Sequence, residues 1–386
     1  MPAFLSLVKG ELRRLAKDRW LLALIGWLPP LLFVGMYAIF ADGMARDLAV
    51  GVVDLDDSRI SRRLIRHYDA SPTLAIRQDF ADIAEGGKAL QGGDIYVLVV
   101  IPAALEEDSL RGFSPQVTVF VNSQYLLIGR LVNAALQQAH GTAAAGIDAA
   151  ILLAETPLAG AAAAAAAPIA VQQNPLFNTG MNYARFLVAA IIPALWQIII
   201  VAATVMAFAA GLRDGRLDDW LSPGPFRALV ARILPGTFCF WCHGQLFLLG
   251  FHGLLGWPMH GSWLVLALAQ LLTVAACQCA GVLLFLLTLD ATRALSLVAA
   301  YTAPGLAFMG ITFPVTDMNL PARCWRSLLP ISHYIEIQVS QVNYGLSPAA
   351  VLPQFGVLLL FLLLAVPIAI RLKMLREDQP AVEMQR

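Results

Sequence analysis

The stretch "FLVAAIIPALWQIIIVAATVMAFAAGL" (186–212) contains no charged side chain. An α-helix rises 1.5 Å per residue, so about 20 apolar residues cross the roughly 30 Å of hydrocarbon in a bilayer. The stretch meets that length, and it is not alone. Residues 20–41, 233–289, 294–316 and 337–370 are also free of charge. The run 233–289 is too long for one crossing and breaks at "HGLLGWPMHGS" (252–262), where Gly, Pro, His and Ser favour a turn and Trp suits an interface. The last run is interrupted at "NYGLSP" (343–348), which leaves a span from about residue 349 to 370. The fold class expected is therefore an α-helical polytopic membrane protein with six transmembrane helices.

Composition agrees. The chain is 59% hydrophobic and 13% charged, whereas a soluble domain carries about 25% charged residues. Formal net charge is zero, so no bulk attraction to nucleic acid is expected.

The basic residues set the expected topology. Lys9, Arg13, Arg14, Lys17 and Arg19 precede the first span; Arg213, Arg216, Arg227 and Arg232 follow the second; Arg293 joins the fourth and fifth; Arg371, Lys373 and Arg376 close the chain. All fall on one side when both termini are cytoplasmic, as the positive-inside rule requires. The basic residues within 42–185 do not conflict, because long segments translocate regardless of charge. The expected organisation is a cytoplasmic amphipathic interfacial helix (1–19), a first transmembrane helix (20–41), a periplasmic α/β domain (42–180), a membrane domain (181–370) and a cytoplasmic tail (371–386). The apolar part of the first span exceeds a signal-peptide core and no A-x-A site follows it, so an uncleaved anchor in the inner membrane is expected.

Between the first and second spans the pattern is mixed α/β. "LAVGVVDLD" (48–56), "IYVLVVIP" (95–102) and "VTVFVN" (117–122) read as strands. "SRISRRLIRHYDA" (58–70) reads as a helix with Ile60, Leu64, Ile65 and Tyr68 on one face and Asp57 or Ser58 as N-cap. A helix is also expected over 123–155, where Asn133, Gln137, Gln138, His140 and Asp148 argue against a span. "AGAAAAAAAP" (159–168) fits a helical extension or a linker equally. The aspartates of "VVDLDDS" lack the Gly and Glu of a Ca²⁺ loop, whose sixth and twelfth positions hold Arg59 and Ile65, so a strand end leading into a helix cap is expected.

Energy sources are missing from the chain. The only Gly-Lys pair, Gly87-Lys88, is followed by Ala89, and Asp82 stands where a P-loop has its first Gly. ATP-driven work would have to come from another chain. The spans also lack the acidic and basic residues by which ion-driven carriers couple transport.

Four stretches carry a family resemblance. "VKGELRRLAKDRW" (8–20) has Val8, Leu12 and Leu15 on one helical face and basic residues on the other. "VGVVDLDDS" with "LVVIP" opens the 42–180 segment, "NPLFN" (174–178) precedes the second span, and "FPVTDMNLPARCWRSLLPISHYIEIQVSQVNYG" (313–345) precedes the last. With these features the whole chain resembles the permease subunits of type-2 ABC exporters, the ABC-2 family. The resemblance implies an interfacial helix with Glu11, Arg13, Arg14 and Lys17. It implies a coupling loop over 212–233 that docks on an ATPase, carrying Arg213, Asp214, Gly215, Arg216, Asp218 and Trp220. Arg216 stands where the family usually has Thr, and a solvated charged loop is the competing reading of these residues. A re-entrant helix pair over 315–345 is implied, with Pro314, Pro321, Trp325, Pro330, His333 and Glu336; an ordinary interfacial loop competes with it.

The function implied is the permease subunit of an ATP-driven exporter that moves a hydrophobic or amphipathic compound (drug-like, lipid or glycolipid) outward by alternating access. Its expected partners are an ABC ATPase subunit, a second permease, the lipid bilayer and a periplasmic adaptor. ATP and Mg are expected on the ATPase, with no cofactor, metal or catalytic residue in this chain. The alternative is a membrane-anchored receptor or assembly protein whose external domain binds a partner without transport.

One motif points elsewhere. Cys239-Phe240-Trp241-Cys242-His243 spells C-x-x-C-H, a haem-attachment pattern. It lies one turn into the third span at its cytoplasmic end, and Cys277, Cys279 and Cys324 offer no matching zinc spacing. Helix packing is the expected role of these cysteines.

Overall fold

The computed structural model describes residues 2–41, 43, 46–155, 176–178, 182–213 and 224–377. The chain divides into two compact units, Met1–Gly43 with Leu176–Arg386, and Met44–Pro175.

The first unit starts with α1 (Pro2–Lys17), which ends where Asp18 turns to cap the next helix. The Asp18 carboxylate accepts from the amides of Trp20 at 3.0 Å and Leu21 at 3.1 Å, satisfying two donors that a helix start leaves orphaned. α2 (Arg19–Ile25) and α3 (Leu28–Ile39) follow, bent by 48° at their junction. Pro29 and Pro30 cause the break, because neither has an amide hydrogen for the carbonyls of Ile25 and Gly26.

The second unit contains β1 (Leu48–Asp54), α4 (Arg59–Asp69), β2 (Leu74–Asp79), α5 (Ile83–Gly92), β3 (Val97–Ile101), α6 (Leu105–Leu110), β4 (Thr118–Val121) and α7 (Leu126–Glu155). The sheet order is β2-β1-β3-β4; β1 runs parallel to β2 and β3, and β4 pairs antiparallel to β3. Side chains alternate across the sheet. Val50 and Val52 pack with Leu64, Tyr68, Val132 and Leu136 of α4 and α7, while Val53 packs with Leu98 on the other face, beside Ala89 and Leu90 of α5. Strand β2 is absent from the sequence reading. Its burial fades along "LAIRQD", and the polar residues of this edge strand mask the alternation.

The turn after β1 shows what the aspartates do. Asp54 accepts from the amides of Asp56 and Asp57, both at 3.1 Å, and from the Ser61 hydroxyl at 2.7 Å. Ser58 then caps α4 through a reciprocal capping box with Ser61. The cluster closes a strand end onto a helix.

Helices α4 and α7 are tied by Tyr68, whose hydroxyl lies 2.8 Å from His140 Nδ1. Burial pushes the Tyr68 hydroxyl above its ordinary pKa. In the unfolded chain this group ionises near its ordinary value of 10.0, but in the folded unit it stays protonated. Above that pH the unfolded state binds fewer protons, so stability is present below about pH 10 and is lost as pH rises, with a slope of up to about 1.4 kcal/mol per pH unit. Tyr68→Phe should remove that slope at the cost of one hydrogen bond, about 1 kcal/mol. Urea unfolding between about pH 8 and about pH 11, read from a tryptophan placed at Phe120, checks this; an identical slope in the variant would refute it.

The first unit resumes with α8 (Tyr183–Arg213), α9 (Pro225–Leu248) with its π-helical end Leu249–Leu254, and α10 (Trp263–Thr288). It continues with α11 (Ala291–Thr302), α12 (Gly305–Phe308), α13 (Leu320–Ser327), α14 (Pro330–Val342), α15 (Leu352–Leu362) and α16 (Ala365–Glu377). Helices α8 and α10 form its centre, crossing where a Cβ on Gly281 would sit 2.9 Å from the carbonyl of Val201. Polar side chains join α9 to α10: Thr237 donates to Gln278 Oε1 at 2.6 Å, Gln278 Nε2 donates to the Ile233 carbonyl at 3.1 Å, and Gln270 Nε2 donates to the Gly244 carbonyl at 3.0 Å. In a lipid environment, where apolar burial no longer separates helix from solvent, such bonds hold helices together.

Among the described residues four helices are long and apolar enough to cross a membrane: Tyr183–Leu212, Pro225–Leu254, Trp263–Thr288 and Pro348–Glu377. The bent pair α2–α3 makes a fifth if counted as one span. The six-span expectation is thus not met by length, and the missing member is the run 294–316. Pro304 breaks it between α11 and α12, and α11 alone rises only about 18 Å.

Candidate functional site

Two places in the helical unit gather charged and polar side chains inside an otherwise apolar core. The first lies where α8 ends and α9 begins. There α1 packs along α9 and turns Glu11 inward. Glu11 is 3.7 Å from Arg14 and 3.7 Å from Arg232, and both acid and Arg232 are only 8% exposed. The guanidinium of Arg232 donates to the carbonyl of Ala207 at 2.7 Å, and Arg14 donates to the same carbonyl at 3.2 Å. Arg232 also lies over the Phe208 ring at 5.1 Å. One carbonyl of α8 thus receives cations from α1 and from α9, linking three helices. A side chain at Gly211 would overlap the Arg232 guanidinium and displace it.

This geometry corrects the face assigned to α1. The sequence places Val8, Leu12 and Leu15 together as its apolar face, yet Leu12 is 50% exposed and the inward stripe is Val8, Glu11 and Leu15. The acid occupies that seam because a buried guanidinium meets it there. Arg13 and Lys17 lie on the exposed side and take no part. Arg213 ends α8, while Asp214, Gly215, Arg216, Asp218 and Trp220 lie outside the described residues. Arg232 was counted only as a topology charge in the sequence. Its signal was present, since Ala228, Leu229, Arg232 and Gly236 recur at helical spacing along one buried stripe.

The second place is 314–345. After a short 3₁₀ turn, Val315–Asp317, Asn319 caps α13 by accepting from the Ala322 amide at 3.1 Å. The chain then breaks at 328–329 and enters α14 through Pro330, which needs no amide partner there. Side chains satisfy the break, two of them from other helices and one from α14 itself. Tyr301 donates to the Leu328 carbonyl at 2.6 Å, His333 Nε2 donates to the Ser327 carbonyl at 3.2 Å, and the Ile331 amide donates to Gln197 Oε1 at 3.1 Å. Irregular backbone of this kind persists away from water only when protein groups complete its hydrogen bonds.

Helix α14 is buried along most of its length. Tyr334 accepts from Gln270 Nε2 at 2.9 Å, and Gln338 Nε2 donates at 2.9 Å to the carbonyl of Ala189. That carbonyl is available because Pro193, four residues on, has no amide hydrogen to offer it. Glu336 forms an ion pair with Arg326 and accepts from Gln354 Nε2 at 2.9 Å. Of the residues singled out in sequence, Pro330, His333 and Glu336 come together here with Arg326. Pro314, Pro321 and Trp325 stay exposed and apart from that cluster.

The C-x-x-C-H residues lie in the interior of α9. Cys239 is half-buried and Cys242 exposed; His243 is buried with its ring edge-on to Phe240, and Trp241 Nε1 donates to the Ala267 carbonyl at 2.9 Å. Among the described residues no three His, Cys, Asp or Glu side chains gather as a metal site would need. The motif forms part of a helix wall.

A mostly helical chain with several long apolar helices and buried interhelical polar bonds is a multi-pass membrane protein. Residues 19–371 match the family described as ABC-2 family transporter protein, and the chain belongs to that family. It is accordingly an ABC-2 type permease, the membrane component of an ABC transporter, which works with an ABC ATPase subunit and is not itself the ATPase. No curated protein and no solved structure matches the chain.

Proposed function

We propose that this permease exports a hydrophobic or amphipathic compound across the inner membrane by alternating access, working as one of a pair of permeases. In this reading six spans cross the membrane, with α2–α3 as the first and the kinked α11–α12 as the fifth, and both termini are cytoplasmic. The α/β unit lies outside and meets a periplasmic adaptor. The loop 212–233 docks on the ATPase, which binds ATP and Mg.

The observation that supports coupling is the Glu11–Arg232–Ala207 junction. The structure has residues 225–233 of the expected loop as the start of α9; Arg232 stands two turns into that helix and reaches Ala207 in the last turns of α8, on the other side of the loop. A push on the loop would therefore reach α1, α8 and α9 together rather than one helix alone. Nucleotide then acts only through different affinities for the two permease states. The segment 314–345, as a re-entrant pair, would form the outlet.

The test is co-purification with an ABC ATPase, followed by reconstitution of the pair in liposomes. ATPase activity should rise when the permease is present and again when an amphipathic compound is added. A membrane-anchored receptor without transport would show neither stimulation nor ATP-dependent movement of compound, and that outcome would overturn the exporter reading.

A further inference from the structure

A cavity of about 290 Å³ lies within the helical unit, between the first turns of α8, the π-helical end of α9, the turn at 257–258 and the C-terminal half of α14. That size approaches the lower end of small-molecule sites, about 300 Å³. Three features of its wall determine what it would hold. Arg185 is the charged side chain of the lining; it donates to the Phe177 carbonyl at 3.1 Å, and none of the described ion pairs uses it. No carboxylate lines the cavity beside it. Gln338 is only 5% exposed, and with its Nε2 committed to Ala189, its Oε1 has no hydrogen-bond partner. Trp257 and Phe251 stack at 4.7 Å as a flat apolar wall, and His252 Nδ1 donates to the Trp257 carbonyl at 2.9 Å, which holds the turn in place.

An isolated guanidinium selects an anion and, being a planar fork, suits a carboxylate or phosphate. A buried amide oxygen left without a donor is costly and calls for one. The stacked rings offer surface to an apolar body. We propose that this cavity is a binding site for an amphipathic acid. The acid's anionic group lies on Arg185, its ring or chain against Trp257 and Phe251, and a hydroxyl or N–H group meets Gln338 Oε1. The site stands on geometry alone; only its use as a station for exported cargo rests on the function proposed above.

The probe is 6-hydroxy-2-naphthoate, added to the purified full-length chain in a neutral detergent and followed by quenching of the tryptophan signal that Trp257→Phe removes. Two comparators isolate the contacts: 2-naphthoate lacks the hydroxyl, and 6-hydroxy-2-naphthamide lacks the charge. The hydroxy acid should bind at least about tenfold more tightly than either, the order expected when a buried polar group loses its partner. Arg185→Gln should erase the preference over the amide, Arg185→Lys should retain part of it, and Gln338→Leu should erase the preference over 2-naphthoate. Each preference is a ratio measured on one folded sample, so general destabilisation cannot imitate it. Equal binding of acid and amide by the unaltered protein, or an undiminished preference in Arg185→Gln, would overturn the assignment.

Repeating the titration in nanodiscs identifies the source of the acid. Competition by phosphatidylglycerol, absent with phosphatidylcholine alone, assigns the site to an anionic lipid headgroup; no competition assigns it to a free amphipathic acid. ATPase stimulation in liposomes is read separately. Binding without stimulation would remove the export role and leave the site, whereas stimulation without binding would remove the site and leave the export role.

Discussion

Replacing Arg232 with alanine is expected to destabilise the helical unit by about 3–5 kcal/mol, the usual loss when one member of a buried ion pair is removed. Glu11 would keep Arg14, whose side chain is 21% exposed, but lose the far more buried guanidinium of Arg232. The Ala207 carbonyl would lose the closer of its two cationic donors, and Phe208 its cation. Because α1, α8 and α9 meet at this point, compound-stimulated ATPase activity should fall to the basal level while basal hydrolysis persists. Glu11→Gln with Arg232→Gln should be less damaging than the sum of the two single changes, since neither of the two most buried charges is left facing a neutral partner; only the more exposed Arg14 keeps its charge. Thermal unfolding in detergent and ATPase assays with the partner subunit measure both effects. An Arg232→Ala protein with unchanged melting and full stimulation would show that the junction is incidental.

The second large effect is expected at Glu336. Alanine there leaves Arg326, only 7% exposed, without its carboxylate and Gln354 without its acceptor. Glu336 is itself 33% exposed, so the loss expected is smaller than for a fully buried pair, about 1–3 kcal/mol, and part of the interaction is screened by added salt. Glu336→Gln keeps the shape and the contact with Gln354, so it should cost less. The Arg326→Glu, Glu336→Arg exchange should recover part of the stability of either single reversal. Melting temperatures of this series at low and high salt decide the matter. If Glu336→Ala melts with the unaltered protein, the pair does not hold α13 against α14.

The elements legible in sequence share one property, a pattern that a short window contains. The uncharged runs located the spans, and alternating valines located β1 and β3. Pro29 with Pro30, and Pro304, were also visible, but what they do to a helix path depends on how the broken ends repack. The shortfall at 294–316 arises there: composition registers an apolar run, whereas a count by helix length needs that run in one piece, and Pro304 divides it. The edge strand β2 escaped for the opposite reason, since half of it faces outward and carries Arg77, Gln78 and Asp79.

The candidate site was less legible. Periodicity reports which face of a helix avoids water, but beside lipid both the protein face and the lipid face are apolar. The stripe on α1 could therefore be drawn through Leu12 when it runs through Glu11. Residue types along the chain determined that this protein is a multi-pass membrane protein built on long uncharged runs. Only the tertiary structure decided that Glu11 meets Arg232, that Gln338 answers the carbonyl freed by Pro193, and that Arg185 and Gln338 face one cavity. Each of these pairings joins residues far apart in the chain. A buried polar group specifies that it must have a partner, and packing specifies which one.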